Sequence, residues 1–342
     1  MPPDPNDPAS AGAPESEEAL IAEFWAPLAA DLGGAYDLQD DCATIAPPPG
    51  TELVVTADAL IAGVHFLPDE EPASIAWKAL AVNVSDLVAK GATPLAYLMT
   101  LALPGKPARD WLASYAAGLA AAQQAFGCRL AGGDTDRTPG PLSVSITALG
   151  TVPIGGMVRR AGARPGDHVY VSGTIGDATL GLAVRLNEQA VLAQLAPEAQ
   201  RYLAGKFSRP QPPVALGAAL RACASAAIDI SDGLLKDFDR LCRVSGVSGS
   251  LDASRVPLSE AARTAIDSGI RTAADLMTGG EDYEVLATVP PGRAAEFEQR
   301  AAACDTRVTR IGEVGDGQAG ASVLSVSGEP MRVEKMGWDH FS

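Results

Sequence analysis

Residues 226–237 read AAIDISDGLLKD. On an extended chain successive side chains alternate between faces, so Ile228 and Ile230 turn one way while Asp229 and Ser231 turn the other. Past Asp232-Gly233, residues Leu234, Leu235, Phe238, Leu241 and Cys242 recur at helical spacing. The stretch is therefore a buried strand that turns sharply into an amphipathic helix, with two carboxylates and a hydroxyl at the corner. Taking carboxylates out of water is costly unless something compensates them.

Alternating strand-like and helix-like runs extend in both directions from this corner. Strand-like segments are Leu53–Thr56, Leu95–Leu103, Arg129–Ala131 and Leu142–Leu149, then HVYVSG from His168, Ala227–Ser231 and Tyr283–Val289. One helix is predicted over about 75–90, with Trp77, Leu80, Val84, Leu87 and Val88 as its stripe and Gly91 as its stop. Another is predicted over about 108–126, with Trp111, Tyr115, Leu119 and Phe126 on one side and Gly127 at its end. Further helices are predicted around 177–185, 214–224, 234–242 and 293–303. The Gly/Pro-rich stretch TVPIGGMVRRAGARPGD, residues 151–167, marks a junction between two such runs. The fold class is α/β, as two tandem α/β domains over 19–152 and 153–342. Residues 1–18 mix Pro, Ala, Ser and acids without periodicity and predict a disordered tail.

With 342 residues, 47% hydrophobic and 20% charged, the chain can build two ordinary cores. No apolar run is long enough to span a membrane and the N-terminus has no signal-peptide pattern, so a cytoplasmic location is expected. The formal charge of -16 and the lack of a Lys/Arg cluster disfavour nucleic acid, and an anionic ligand would need help from a cation. Five cysteines, odd in number and without CxxC or CxxxC spacing, predict buried thiols and no disulfide framework or zinc site. There is no P-loop: GKFS at Gly205–Ser208 lacks the upstream glycine and the Ser or Thr next to lysine. HExxH and GxSxG are absent, and three histidines (His65, His168, His340) give a Ser-His-Asp system little support.

Acids recur where apolar stretches end or break. Asp40 and Asp41 sit in LQDDCATI, Asp58 closes the strand of LVVTADAL, Asp86 lies in NVSDLVAKGA, and Asp134 and Asp136 sit in LAGGDTDR. Packing alone seldom selects a carboxylate in such places. A few carboxylates with phosphate oxygens and water are what hold Mg²⁺. Each acid also has a plainer role open to it. Asp232 can cap the Leu234 helix, Asp86 can face solvent, and Asp134 can satisfy a tight turn at Gly132-Gly133. Their recurrence in one chain is what favours metal-assisted electrostatics over separate capping roles.

In order along the chain, DDCA, TADALIAGVHF, KALAVNVSDLVAKGATP, GGDT, RRAGARPGD, IDISDGL, TGGEDYE and GWDHF resemble the motifs of the thiamine-monophosphate kinase family. That family shares a superfamily with aminoimidazole-ribonucleotide synthetase, selenophosphate synthetase and a hydrogenase maturation protein. The resemblance runs from about residue 20 to the C-terminus. It implies an N-terminal ATP- and metal-binding α/β domain whose strands help build a barrel across a homodimer, followed by a second α/β domain. It also implies direct transfer of the γ-phosphoryl group of ATP to the phosphate of thiamine monophosphate, giving thiamine diphosphate and ADP, with several Mg²⁺ ions.

By the same resemblance the metal ligands are Asp41, Thr56, Asp58, Asp86, Asp134, Asp229 and Asp232. ATP is met by Gly133, Asp134, Arg160 and Ser231, and thiamine by His65, Glu281 and Trp338. Asp58, Asp134, Arg160 and Asp229 are the residues implied at the transfer itself. Without the motif context, Trp338 could simply dock on the core, His65 could be a satisfied half-buried histidine and Arg160 a solvated surface residue. Two positions depart from the family pattern: Gln39 replaces the usual glycine before Asp40-Asp41, and Thr56-Ala57-Asp58 stands where relatives often carry STD, so a hydroxyl at the middle position is lost. The alternatives are another ATP-dependent synthetase of the superfamily, although Cys42 lacks the neighbouring lysine of a selenophosphate synthetase, or a catalytically silent nucleotide- or metal-binding module.

Overall fold

The computed structural model describes residues 14–325 together with 329–331, 333 and 336–339. Two units divide the chain: one takes in the sequence up to Leu87 plus Pro94–Thr151, the other Val88–Thr93 plus everything from Val152 on. Of the tail expected over residues 1–18, positions 1–13 lie outside the described residues. Ser16 then caps α1 (Glu17–Leu20), accepting the Ala19 N–H at 3.2 Å.

In the first unit, α1 runs through a π-helical stretch (Ile21–Trp25) into α2 (Ala26–Ala29). Strands β1 (Thr51–Ile61), β2 (Thr93–Leu103), β3 (Arg129–Arg137) and β4 (Ser143–Pro153) form a sheet in the order β1-β4-β2-β3, with β2 and β3 parallel. Helices α3 (Pro72–Ala89) and α4 (Arg109–Phe126) bury Leu80, Val84, Leu87, Leu112 and Leu119 completely. On β4, Val144, Ile146 and Ala148 are buried while Ser143, Ser145, Thr147 and Leu149 are half-buried, so the two faces of the strand differ in the period-2 pattern of a one-sided sheet. Gly127, left-handed at φ 69, ends α4 as expected.

The second unit is built on β5 (His168–Ser172), β6 (Ala226–Ile230), β7 (Ser248–Asp252), β8 (Glu284–Val289), β9 (Val308–Gly315) and β10 (Gly320–Leu324). Their order is β10-β7-β9-β5-β8-β6, with β7–β10 parallel and the other neighbours antiparallel. Helices α5 (Asp177–Arg185), α6 (Gln189–Leu192), α7 (Pro197–Ser208), α8 (Gly217–Cys223), α9 (Leu234–Ser245), α10 (Glu260–Asp267), α11 (Ala273–Thr278) and α12 (Ala294–Ala303) complete it. Ile228 and Ile230 of β6 join Leu234, Leu235, Phe238 and Leu241 of α9 in one core. The opening stretch thus forms the strand, corner and helix that its pattern predicts.

All five residues of β6 are buried although it closes the sheet at one side. An open edge of paired-strand character is a liability unless something covers it. Here the Ala227 N–H donates to the Arg159 carbonyl at 3.1 Å, and Lys90 Nζ donates to the Ala227 carbonyl at 2.7 Å. The Gly/Pro-rich stretch read as a junction is therefore also the edge cover of β6.

Several elements have no counterpart in the sequence reading. Helix α10 buries only Ala261, Ala262 and Ala265, and α7 only Leu203, Phe207 and Ser208, so neither shows a broad apolar stripe. All five cysteines are free, and the expectation of buried thiols holds for Cys128, Cys223 and Cys242 but not for exposed Cys42 or half-buried Cys304.

Gly118 of α4 shows how closely the helices approach: a Cβ there would stand 2.3 Å from the Ala73 carbonyl oxygen. In an open helix Gly→Ala gains roughly 1 kcal/mol. Against a backbone neighbour the contact wins, so Gly118→Ala is expected to lower the melting temperature by several degrees, at roughly 2–4 °C per kcal/mol for a unit of this size. A calorimetric scan showing a rise instead would contradict the packing described.

Candidate active site

In the first unit, one cavity of about 600 Å³ is lined by Asp40, Asp41, Gly133 and Asp134 at its polar side and by Trp25, Leu98 and Leu149 among its apolar residues. Asp41 comes from a loop pinched shut at its base, where the Thr44 N–H donates to the Gly34 carbonyl at 2.8 Å. Tyr36 OH and Thr44 Oγ1 share a hydrogen bond of 2.9 Å. Tyr36, Asp37 and Leu38 are left-handed, but Gln39 has φ -102, a conformation any residue adopts, so the backbone at 39 does not require glycine.

Asp134 and Gly133 lie inside β3, so the tight turn expected at Gly132-Gly133 does not form. Glycine at 133 answers a close approach: at φ 153, a Cβ would fall 1.8 Å from the Met99 carbonyl oxygen of neighbouring β2. Asp58 lies within β1 and does not close it, because the strand continues to Ile61. Thr56 and Asp58 share the face on which Val54 and Leu60 are buried. Thr56 Oγ1 donates to Asp86 Oδ2 at 2.5 Å, and the Asp58 N–H donates to Asn83 Oδ1 at 3.0 Å. Asp86 is thus half-buried and hydrogen-bonded, not on the solvent side of α3. The exposed Ala57 points away on the other face.

His65, half-buried, accepts the Ile61 N–H at Nδ1 over 3.0 Å, which assigns its proton to Nε2 in the neutral ring. Its carbonyl accepts from Lys78 Nζ at 2.8 Å, and Lys78 is only 1% exposed.

In the second unit, Asp229 is 5% exposed in the middle of β6. Arg160 is exposed, and its neighbour Arg159 is tied to β6 through Ala227. Ser245 Oγ donates to the Arg160 carbonyl at 3.4 Å, pinning the stretch from its other side. Asp232 does not cap α9. Gly233 occupies that position at φ 120, while the Asp232 carboxylate pairs with Arg240 at 2.5 Å and Lys236 at 3.4 Å.

Glu281 and Tyr283 are left-handed at φ 72 and 51, and their N–H groups donate to the carbonyls of Ser231 and Ile230, both at 2.8 Å. The Trp338 ring is 49% exposed, so it is not packed into the core. The backbone N–H of Trp338 donates to the Asp232 carbonyl at 2.9 Å. Ser231, Asp232, Glu281 and Trp338 thereby meet at one corner.

Sequence reasoning missed Asp237 and Asp282. Asp237 Oδ2 accepts the N–H groups of Ser231 at 3.1 Å and Asp232 at 2.9 Å. Burial first, and then the charge of Asp232, push its carboxyl up to about 6. Its place in the first turn of α9, among exposed-looking acids, concealed that role. Among the described residues, no group of three or more His, Cys, Asp or Glu side chains is arranged to hold a metal ion. The candidate ligands stand as the Thr56–Asp86 pair with Asp58, as Asp41 and Asp134 on one cavity, and as Asp229 and Asp232 on the corner, all of them oxygen donors of the kind Mg²⁺ takes.

Two α/β units carrying acids within strands and at a strand–helix corner define a class. Residues 39–152 match the N-terminal domain of AIR synthase related proteins, and residues 164–325 match their C-terminal domain. Within that class, the thiamine-monophosphate kinase of Caulobacter vibrioides is 38% identical over 335 residues, covering 97% of this chain and 93% of its own. That of Escherichia coli K12 is 37% identical, covering 95% and 98%. The crystal structure of thiamine-monophosphate kinase from Stenotrophomonas maltophilia superposes with a TM-score of 0.76 at 39% identity, covering 86% of this chain and 91% of that one. A structure described as AaThiL complexed with AMPPCP and TMP gives 0.75 at 32% identity, covering 88% and 91%. The hydrogenase maturation protein HypE shares the fold at 17% identity, with a TM-score of 0.76. The chain belongs to the thiamine-monophosphate kinase family.

Close to the Glu281 loop lies a group of enclosed acids. The Gly176 N–H donates to both oxygens of Asp282 at 3.0 Å, and Asp177 accepts from Thr174, Tyr202 and Ser259. Desolvation, reinforced by Asp177 and Glu284, holds the Asp282 carboxyl well above the ordinary range. Folding therefore favours its protonated form. The stability it contributes is complete below the ordinary carboxylate value and is lost as pH rises through the raised one. Asp282→Asn removes that dependence, so the melting temperature of the variant relative to the native chain is expected to climb as pH is raised from the ordinary carboxylate value to above neutrality. A difference that stays flat across that range would rule out a raised Asp282.

Proposed function

We propose that the chain transfers the γ-phosphoryl group of ATP directly to the phosphate of thiamine monophosphate, giving thiamine diphosphate and ADP. The observation that carries this reading is the β6–α9 corner, where Asp229, Ser231 and Asp232 lie beside Glu281 and Trp338, in a chain similar along nearly its whole length to thiamine-monophosphate kinases.

Phosphoryl transfer asks little covalent chemistry of a protein; it asks for in-line positioning and neutralisation of charge. Asp41, Thr56, Asp58, Asp86 and Asp134 in the first unit and Asp229 and Asp232 in the second would hold Mg²⁺. The ions, when bound, neutralise the phosphate oxygens that otherwise repel one another and the acidic chain. Gly133 offers backbone close to the phosphates without a side chain in the way. Ser231 and Arg160 add a hydroxyl and a fork of N–H donors to ATP. Asp58, Asp134, Arg160 and Asp229 would act at the transfer itself. The apolar wall of the first unit's cavity suits a nucleoside beside the acids.

For the acceptor, Trp338 would stack on the thiamine rings, Glu281 would pair with the aminopyrimidine or the cationic thiazolium, and His65 would contribute a ring N–H. In this reading residues 19–152 form the ATP- and metal-binding domain and 153–342 the C-terminal domain. A homodimer closing the open face of the first sheet is part of it, supported by Leu53, Val55 and Leu98, which are exposed on that unit's strands. So is a cytoplasmic location, where ATP is at hand; no described helix is long and apolar enough to cross a membrane.

The deciding experiment incubates purified protein with ATP and Mg²⁺ and compares thiamine monophosphate with unphosphorylated thiamine and aminoimidazole-type acceptors. Thiamine diphosphate should form from the monophosphate alone, and chelation should abolish it. Turnover of another acceptor instead would point to a different synthetase of the class, and no turnover at all to a silent binding module. Asp58→Asn, Asp134→Asn and Asp229→Asn should each cut kcat on the order of 100-fold or more while the fold is kept. Trp338→Ala should raise the KM for thiamine monophosphate and leave that for ATP nearly unchanged. Label from γ-labelled ATP should not stay on the protein when acceptor is absent; a stable phosphoprotein would exclude direct transfer.

A further inference from the structure

The Ser231-Asp232 dipeptide has all four of its backbone hydrogen-bonding groups engaged. Both N–H groups go to one carboxylate oxygen, Asp237 Oδ2, at 3.1 and 2.9 Å. The Ser231 carbonyl accepts the Glu281 N–H at 2.8 Å, and the Asp232 carbonyl accepts the Trp338 N–H at 2.9 Å. Asp237 itself is 1% exposed, and its second oxygen accepts from Arg240 Nη1 at 3.0 Å. Chain packs tightly on both sides of this peptide. A Cβ on Gly280 would come within 2.5 Å of the Ser231 carbonyl oxygen, and one on Gly337 within 2.5 Å of that of Asp232.

A peptide plane whose N–H is fixed has the carbonyl of the preceding residue fixed with it, because the amide is planar and rigid, so the Ser231 N–H sets the Ile230 carbonyl and the Asp232 N–H sets the Ser231 carbonyl. These accept the Tyr283 and Glu281 N–H groups, both at 2.8 Å. We propose that Asp237 is a positioning residue: by holding the Ser231 and Asp232 amides, it aims the Ile230 and Ser231 carbonyls at Tyr283 and Glu281 and so couples the ATP and metal side of the corner to the acceptor side. This rests on the function proposed above, in which Ser231 and Asp232 face ATP and metal while Glu281 and Trp338 face thiamine. Asp237 touches neither substrate in this scheme. Its effect passes through the two peptide planes, and a displacement of about 1 Å at such a seat is enough to slow a reaction on the order of 100-fold.

Asp237→Asn keeps the shape but not the chemistry. Its single amide oxygen can serve the two N–H groups or Arg240, and its NH₂ opposes whichever donor is left. Two measurements on this variant are decisive. Hydrogen exchange should show the Glu281 and Tyr283 amides losing protection, while amides in the middle of β8 exchange as in the native chain. Kinetics should show the KM for thiamine monophosphate raised about 10-fold, with a smaller effect in the Glu281→Gln background than in the native one, because the two changes act through one seat. A merely structural role would lower the melting temperature and leave these constants unchanged for the folded molecules. Unchanged protection at Glu281 and Tyr283 overturns the proposal whatever the activity. Native kinetic constants, or full additivity with Glu281→Gln, overturn the coupling even if protection falls. Should the native chain fail to phosphorylate thiamine monophosphate, the proposed function falls, and the exchange measurement alone still decides whether Asp237 seats the Glu281 loop.

Discussion

Asp229 lies almost wholly out of bulk water in a strand where every residue is buried, and much of the second unit is organised around that fact. A carboxylate in such a place costs several kcal/mol unless partners meet it. The local chain is correspondingly dense. Arg159 and Lys90 close the outer edge of β6, the Glu281 loop leans on its end, and Gly337 and Trp338 cross its corner. Three glycines permit these approaches, since a Cβ on Gly233, Gly280 or Gly337 would collide with backbone oxygens at 2.9, 2.5 and 2.5 Å. The rigidity of the corner is thus set by backbone contact and not by the reach of long side chains, which is what a site that must hold charge in fixed positions requires.

The first unit meets the same problem differently. Helix α3 carries Lys78, Asn83 and Ser85 in fully or nearly fully buried positions, an odd choice for a helix whose apolar side is so complete. Two of them have work on the neighbouring chain: Asn83 fixes the Asp58 amide and Lys78 fixes the His65 carbonyl. Burying a lysine is tolerable only with a strong acceptor, and a carbonyl at 2.8 Å is one. Both contacts are to candidate site residues or their strand, so the helix that forms the core also aligns β1.

How much of this was legible in the sequence follows from which forces are local. Alternation and helical spacing are local, and they gave the strand–corner–helix of residues 226–237, the long helices and the tandem α/β organisation. Motif order gave the family. Two mistakes came from reading residues singly. GGD suggests a turn until the neighbouring strand is known, because only the Met99 carbonyl explains why Gly133 stands in an extended strand. Asp58 looked like a strand end because a carboxylate is a poor interior residue, whereas β1 carries it onward to Ile61. Asp237 was invisible for the opposite reason: an acid in the first turn of a helix is ordinary, and nothing in sequence announces that it reaches backward to two amides. The alanine-faced α10 escaped because its buried side chains are all small, although Ala261, Ala262 and Ala265 do recur at helical spacing.

One feature of the corner separates this chain from a simple set of bare carboxylates. Asp232 is already paired, with Arg240 and Lys236 both near the same oxygen. If Asp232 is to accept a divalent ion those cations must yield, and their exposure decides whether they can. Arg240 is 41% exposed at its side chain, and pairs of that kind contribute roughly 1 kcal/mol or less once solvent screening is counted. A hard divalent ion bridging carboxylate and phosphate offers more than that. A released guanidinium and ammonium would then lie beside the phosphates that arrive with the metal, so the same two side chains can serve as counter-ions for Asp232 before ATP binds and for phosphate afterwards. In an acidic chain, such sharing would keep the charge at the corner balanced without placing a permanent positive charge where a metal would sit.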